Sequence, residues 1–266
     1  VSQSVTILGC GSSGGVPRVA QGWGKCDPLE PRNRRRRCSI LVKRKNERGD
    51  VTNVLVDTSP DLREQILSAN VLNVDGVLFT HDHADHTHGI DDLRPFYVQT
   101  RKRMDVWIDP GTSPELRNRF SYVFESRPGS DYPPILNEHH LVPGEPVSIS
   151  GPGGEVSATA FRLPHGNVEA LGLRFGNMAY TPDVSAIPKE ALEHLKGLDL
   201  WIIDALRIAP HPSHFTLQEA LGWIEQMKPK RAVLTNLHTD LDYHTLRTSL
   251  PEGVEAAYDG LTLDFE

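Results

Sequence analysis

Residues 80–89 read THDHADHTHG, and they follow a short apolar run, DGVLFT, at 75–80. A buried strand that empties into a loop is a rigid platform for a site at its end. Within six residues, His81, His83, Asp85 and His86 gather three imidazoles and a carboxylate. So many donors cannot all face solvent in one conformation, and they suit divalent ions. Imidazole nitrogen suits zinc or nickel, and the carboxylate also suits manganese. The alternative is a histidine-rich surface loop that takes up metal adventitiously, and the rest of the chain weighs against it.

Three further positions obey the same rule, an apolar strand ending in a donor. His165 ends SATAFRLPH, Asp183 ends FGNMAYTPD, and His238 follows RAVLTNL. Alone, each reads as an ordinary loop residue. Together with the first four they make seven donors, enough for two metals, a shared carboxylate and a water. Asn236 stands two positions before His238, on the same side of an ideal strand. As a poor ligand beside an imidazole, it is expected to hydrogen-bond behind the ligands while His238 completes the site.

The bulk composition agrees with a globular enzyme. The 266 residues are 38% hydrophobic and 24% charged, with a net charge of −7. A single domain over residues 1–266 is expected, in a chain long enough to bury a substantial core. The acidic balance disfavours nucleic acid as partner, although the arginine run keeps it in view. The three cysteines, Cys10, Cys26 and Cys38, form no dense framework and favour a reducing, cytoplasmic setting. No apolar run approaches the roughly 20 residues that span a bilayer, so no membrane partner is expected. A homodimer is compatible with the sequence.

Strands and helices interleave, with several hairpins. QSVTIL (3–8) reads as a strand running into the glycine-rich GCGSSGG. CSILVKR and TNVLVDT read as a hairpin across NERGD. A helix over 60–69 is expected, with Ser59 as cap and Pro60 at its first position. GIDDLRPFY starts another, and SRPGSDYPP (126–134) is a loop or lid. LDLWIIDAL and RAVLTNL are apolar strands on either side of the helix TLQEALGWIEQM, and DLDY leads into a further helix with Asp240 or Asp242 as cap. VEAAYDGLTLDF is expected to close as a hairpin around Asp259-Gly260. The class is α/β with substantial antiparallel pairing.

The pattern HDHADH resembles the His-x-His-x-Asp-His signature of the metallo-β-lactamase superfamily. The opening ILGCGSSGGVP, the stretch DTSPDLR and the continuation HGID-LRP resemble its phosphonate-pathway cyclic-phosphate phosphodiesterase branch. The resemblance runs from residue 5 to about 265. It implies a four-layer αββα sandwich (α+β in some schemes) with two divalent metals at one edge. By that resemblance His81, His83 and His165 hold one metal. Asp85, His86 and His238 hold the other, and Asp183 bridges. Asp57 corresponds to an aspartate that orients the ligating histidines. His214, in HPSHFT, corresponds to a histidine that touches the scissile phosphate. The cysteine cluster that holds an extra zinc in those relatives is reduced here to Cys26, so no such zinc is expected.

The reaction implied is hydrolysis of a cyclic or nucleotide-like phosphodiester by a metal-bridging hydroxide. Asp85 and Asp183 serve catalysis at the metals, and His214 stabilises charge or protonates the leaving group. The metals are zinc or manganese, with nickel also compatible. Arg34 and Arg35, in PRNRRRRC, are candidates to bind substrate phosphate, weighed against a solvated basic face. Competing readings are a nuclease acting on nucleic-acid ends, a thioester or lactone hydrolase of the same fold, and a non-catalytic metal-binding protein.

Overall fold

The structure, a computed structural model, describes residues 2–266. Its first half runs β1 (Ser2–Gly9), β2 (Ser39–Lys45), β3 (Val51–Val56), α1 (Leu62–Ser68), β4 (Gly76–Leu78), α2 (Ala84–Thr87), α3 (Arg94–Thr100), β5 (Met104–Ile108), α4 (Ser113–Phe124) and β6 (Leu136–His140). The second runs β7 (Pro146–Gly151), β8 (Gly154–His165), β9 (Val168–Phe175), β10 (Met178–Thr181), β11 (Leu200–Asp204), α5 (Leu217–Met227), β12 (Arg231–Thr235), α6 (Tyr243–Ser249), β13 (Val254–Ala256) and β14 (Thr262–Phe265). Two seven-stranded mixed sheets result, ordered β14-β1-β2-β3-β4-β5-β6 and β13-β12-β11-β10-β9-β8-β7.

The alternation within each strand builds the layers. In β2, Ile40 and Val42 enter the core between the sheets, while Leu41 faces the helices outside. In β11, Leu200 and Ile202 face inward, and Trp201 and Ile203 meet the outer helical layer. Strands buried on both faces read as continuous apolar runs, which is why VLFT and LWII carry no polar alternation. Three apolar layers separated by two sheets make the four-layer αββα sandwich.

Local signals set several boundaries. Helix α5 starts at a capping box: Thr216 Oγ1 accepts from Glu219 N at 3.1 Å, and Glu219 Oε2 accepts from Thr216 N at 2.8 Å. Helix α1 starts later than expected, at Leu62. Asp61 occupies the cap position and Pro60 lies before it, while Ser59 Oγ accepts from Asp61 N at 3.1 Å. The segment 126–134 has no regular structure and is largely exposed. The C-terminal hairpin does not form. β13 instead extends the second sheet parallel to β12, and β14 the first, antiparallel to β1. Residues 257–261 cross between the sheets, with Ala257 and Leu261 in the shared core. Asp259 anchors the crossing, accepting from Cys10 N at 3.1 Å and Arg36 N at 2.8 Å.

Asp242 caps α6, accepting from Thr245 N at 3.0 Å, Asn33 Nδ2 at 2.7 Å and Asp27 N at 3.1 Å. Burial pushes its carboxyl up, but these donors outweigh it and hold it down at about 2. Asp242→Ala is expected to lose about 1 kcal/mol at neutral pH, the usual worth of an N-cap. A depressed folded pKa stabilises above the unfolded value of about 4 and ceases to do so as pH falls through about 2. Urea unfolding should therefore show wild type and variant converging as pH falls from about 4 to about 2. A gap that persists at pH 2 contradicts this account.

Candidate metal centre

The site lies where strands of both sheets end. β4 delivers His81 and the loop to α2, β8 ends at His165, and Asp183, Asp204 and Asn236 follow or close β10, β11 and β12. Ligand atoms converge in two groups, each within 4.8 Å: His81, His83, His165 and Asp183, and then Asp85, His86 and Asp183. Asp183 belongs to both. Its Oδ2 faces His81 Nε2 at 3.7 Å and His165 Nε2 at 3.5 Å, while Oδ1 faces His86 Nε2 at 3.2 Å. Four donors make a full tetrahedral set. The second group has three, the arrangement that leaves a position open.

The imidazoles are aimed from behind. Asp57 Oδ2 accepts from His86 Nδ1 at 2.7 Å and from Thr80 Oγ1 at 2.7 Å, and Thr80 Oγ1 in turn accepts from His81 Nδ1 at 3.0 Å. Ser213 O accepts from His165 Nδ1 at 2.7 Å. Each ring thereby turns its Nε2 lone pair toward Asp183, as metal-ligating histidines do. Asp57 sits in the left-handed region at φ 62°, a strained conformation for a non-glycine residue of the kind that gathers at functional sites.

These residues fit divalent cations. His81 Nε2 and His86 Nε2 are buried with no hydrogen-bond partner among the described residues, a costly state unless an ion takes the lone pair. Burial above all holds His81 well below its ordinary pKa and also lowers His165, so both present neutral rings. At His86 burial is outweighed by Asp183, Asp85 and Asp57, which raise it until a cation takes the place of its Nε2 proton. Asp183 is raised by burial but carried well below its usual range by His86, His81 and His214, and stays anionic.

His214 stands beside both groups without joining either. Its Nδ1 donates to Asp204 Oδ2 at 2.8 Å, its Nε2 lies 3.9 Å from Asp183 Oδ2, and its ring packs edge-on against His165. Burial raises Asp204 to about 7. Burial lowers His214, but Asp204 and the nearby carboxylates carry it up to about 9. The two shifts describe one proton held between the pair. Asp204 was not among the expected site residues, although it ends an apolar strand just as the ligands do. Asn236 lies beside Asp183, with Nδ2 at 3.1 Å from Pro182 O and 3.5 Å from Asp183 Oδ1.

Other expectations are corrected. His238 joins neither group. Its Nε2 accepts from Arg18 Nη1 at 2.5 Å, and its Nδ1 lies 3.2 Å from Asp240 Oδ1. Asn236 has φ 62°, which breaks the strand at that point and turns the following side chains off the strand's alternation. Arg35 is buried and structural, donating to Leu241 O at 2.7 Å, Asn33 Oδ1 at 3.2 Å and His238 O at 3.3 Å. Arg34 is exposed, its guanidinium 5.3 Å from the Trp23 ring centre. Arg36 and Arg37 are paired with Asp259 and Asp61.

A four-layer αββα sandwich with this histidine–aspartate centre at the strand ends defines a metal-dependent hydrolase with a candidate dinuclear site. Residues 52–236 match the family model of the β-lactamase superfamily domain. A crystal structure of a diphosphatase of the PhnP family superposes with a TM-score of 0.85 at 34% identity, over 99% of this chain and 98% of that one. The chain belongs to the β-lactamase superfamily, within the PhnP family. An octanoyltransferase of Porphyromonas gingivalis is 34% identical over 96% of this chain, which spans only 50% of that protein's length. Zn(2+)-bound PqqB from Methylobacterium extorquens shares the fold at 18% identity, with a TM-score of 0.75 over 98% of this chain and 100% of that one.

Proposed function

We propose that the chain hydrolyses phosphodiester bonds in small cyclic or nucleotide-like phosphates. One observation carries the reading: His214, locked by Asp204, stands next to the shared carboxylate yet outside both donor groups. Its Nε2 is thus left to meet an oxygen of the reacting phosphate. The 34% identity to a diphosphatase over nearly the whole of both chains supports hydrolysis at phosphorus.

His81, His83, His165 and Asp183 would hold one divalent ion, and Asp85, His86 and Asp183 the other, zinc and manganese being the cations these donors suit. Such a pair supplies positive charge to a phosphoryl group and acidifies water. The protein supplies the rest. Asp57 and Ser213 O fix the rings, and Asp183 holds the two groups at one spacing. Asp85, the most exposed carboxylate of the set at 16%, faces the open side, where it can orient a water or take its proton. His214 donates from Nε2 to a phosphate or leaving-group oxygen while Asp204 steadies the imidazolium. The three cysteines are free and buried, which supports a reducing, cytoplasmic setting. Among the described residues no helix is long and apolar enough to cross a membrane.

The test is turnover by metal-loaded protein of bis(p-nitrophenyl) phosphate beside thioester and lactone substrates. Release of p-nitrophenol with two ions bound is the expected result. Hydrolysis of a thioester or lactone with none of the phosphodiester would remove the proposal.

A further inference from the structure

Arg35, Arg36 and Arg37 are committed elsewhere, and Arg34 lies exposed against the Trp23 ring, which leaves the anionic substrate without its expected cation. One guanidinium near the centre answers that need. Arg18 lies in the loop after β1 and pairs with no carboxylate among the described residues. Its polar side-chain contact is His238 Nε2, at 2.5 Å. Because arginine only donates, His238 Nε2 must be the acceptor, and its Nδ1–H is then directed to Asp240 Oδ1 at 3.2 Å and Thr239 Oγ1 at 3.2 Å. The other oxygen of Asp240 is fixed by Ile208 N at 3.0 Å. A neutral acceptor orients the guanidinium without cancelling its charge. That differs from Arg36 and Arg37, each neutralised by an aspartate.

The placement is built from the backbone up. Leu237 N donates to Cys10 O at 2.8 Å, and Lys25 N to Thr239 O at 2.8 Å, so the 10–25 loop is tied to the strand end that carries Asn236 and His238. Arg18 and Gly22 exchange backbone hydrogen bonds of 2.9 and 2.8 Å, closing a turn that presents the side chain. The guanidinium lies over Gly14, where any Cβ would come within 2.5 Å of Arg18 Nε. His238 is two residues from Asn236, at most about 7 Å of backbone, and Asn236 touches both Asp183 and His214. Arg207, whose side chain among the described residues donates to the Ala209 and Pro210 carbonyls at 3.0 and 2.6 Å and pairs with no carboxylate, adds a second charge nearby.

We propose that Arg18 determines specificity: its guanidinium receives a second anionic group of the substrate, beyond the phosphoryl group that meets the histidine–aspartate centre, so that diphosphates are favoured over diesters with no second anion. His238 and Asp240 are the positioning residues that aim it. The inference rests on the phosphodiester reading of the centre. A guanidinium is suited to a second phosphate because it offers two parallel donors to two oxygens.

Adenosine 5′-diphosphate and bis(p-nitrophenyl) phosphate separate the possibilities. Arg18→Gln is expected to raise KM for the diphosphate by roughly 10- to 100-fold, the worth of a charge-assisted hydrogen bond. Its kcat should move little, and the diester should be affected far less. His238→Ala should shift the same ratio in the same direction by a smaller factor, with both metals retained. An equal loss on the two substrates, or none, overturns the proposal. Calorimetry with inorganic pyrophosphate gives a readout without turnover. Weaker binding by Arg18→Gln than by wild type upholds the subsite even if neither substrate is cleaved, in which case the phosphodiester reading alone fails. Equal pyrophosphate affinities overturn it.

Discussion

Asp183→Asn is expected to reduce kcat/KM for a phosphodiester by roughly 10³-fold or more and to lower the metal content of the purified protein. The substitution keeps the side chain's shape and removes an anionic oxygen. That oxygen cannot be spared, because Oδ2 serves the His81 and His165 side and Oδ1 serves His86. An amide nitrogen in place of either would point a donor where an ion needs an acceptor. Four imidazoles and Asp85 would then hold two cations with no shared negative charge between them, and the like-charge repulsion would favour losing one ion. Atomic absorption beside steady-state kinetics checks both parts. A variant that keeps two ions and near-normal turnover would falsify the shared-carboxylate description.

The second large effect concerns His214 and Asp204, and it has the opposite metal signature. His214→Ala should lower kcat by roughly 10²- to 10³-fold, the range of a positioned acid or charge stabiliser. Two ions should remain bound, since His214 belongs to neither converging group. Asp204→Asn should follow in kcat by a smaller factor, roughly 10- to 100-fold, because it releases the ring's orientation without deleting the ring. Asp204 is fully buried, and its Oδ2 accepts from both His214 Nδ1 and Val184 N, so a neutral amide there leaves the fold's shape and changes the ring's partner. Loss of a metal on removing His214 would make it a ligand and end this assignment.

The parts of the site that were legible in the sequence share one cause. A strand buried on both faces is a continuous apolar run, and a donor placed at its end stands out against it. His81, His165 and Asp183 are visible for that reason, and Asp204 is equally so once the end of LWIID is treated alike. His238 misled because period two holds only while the backbone stays extended. The left-handed φ at Asn236 ends the strand there, and the one signal for it in TNLH is the readiness of asparagine to take that conformation. The arginine run misled for a different reason. Whether a cation faces solvent, substrate or a buried carbonyl depends on what the fold brings to it, and the partners of Arg35 lie some 200 positions away at 238 and 241. The last two strands failed as a hairpin because Asp259-Gly260 turns the chain across the core, and local turn chemistry does not say which sheet receives each side.

That crossing has a consequence for how the molecule is made. Gln3 pairs with Phe265 and Thr6 with Thr262, so one flank of β1 waits for residues some 260 positions later. At a synthesis rate of roughly 5–20 residues per second, the wait lasts on the order of ten seconds or more. During it the newborn chain offers an unpaired strand edge, with Val5 and Ile7 among its side chains, to any other extended segment. The final strand therefore acts as a latch. Completion of the first sheet is a late event in biogenesis, set by translation of residues 262–265 rather than by the stability of the strands already present.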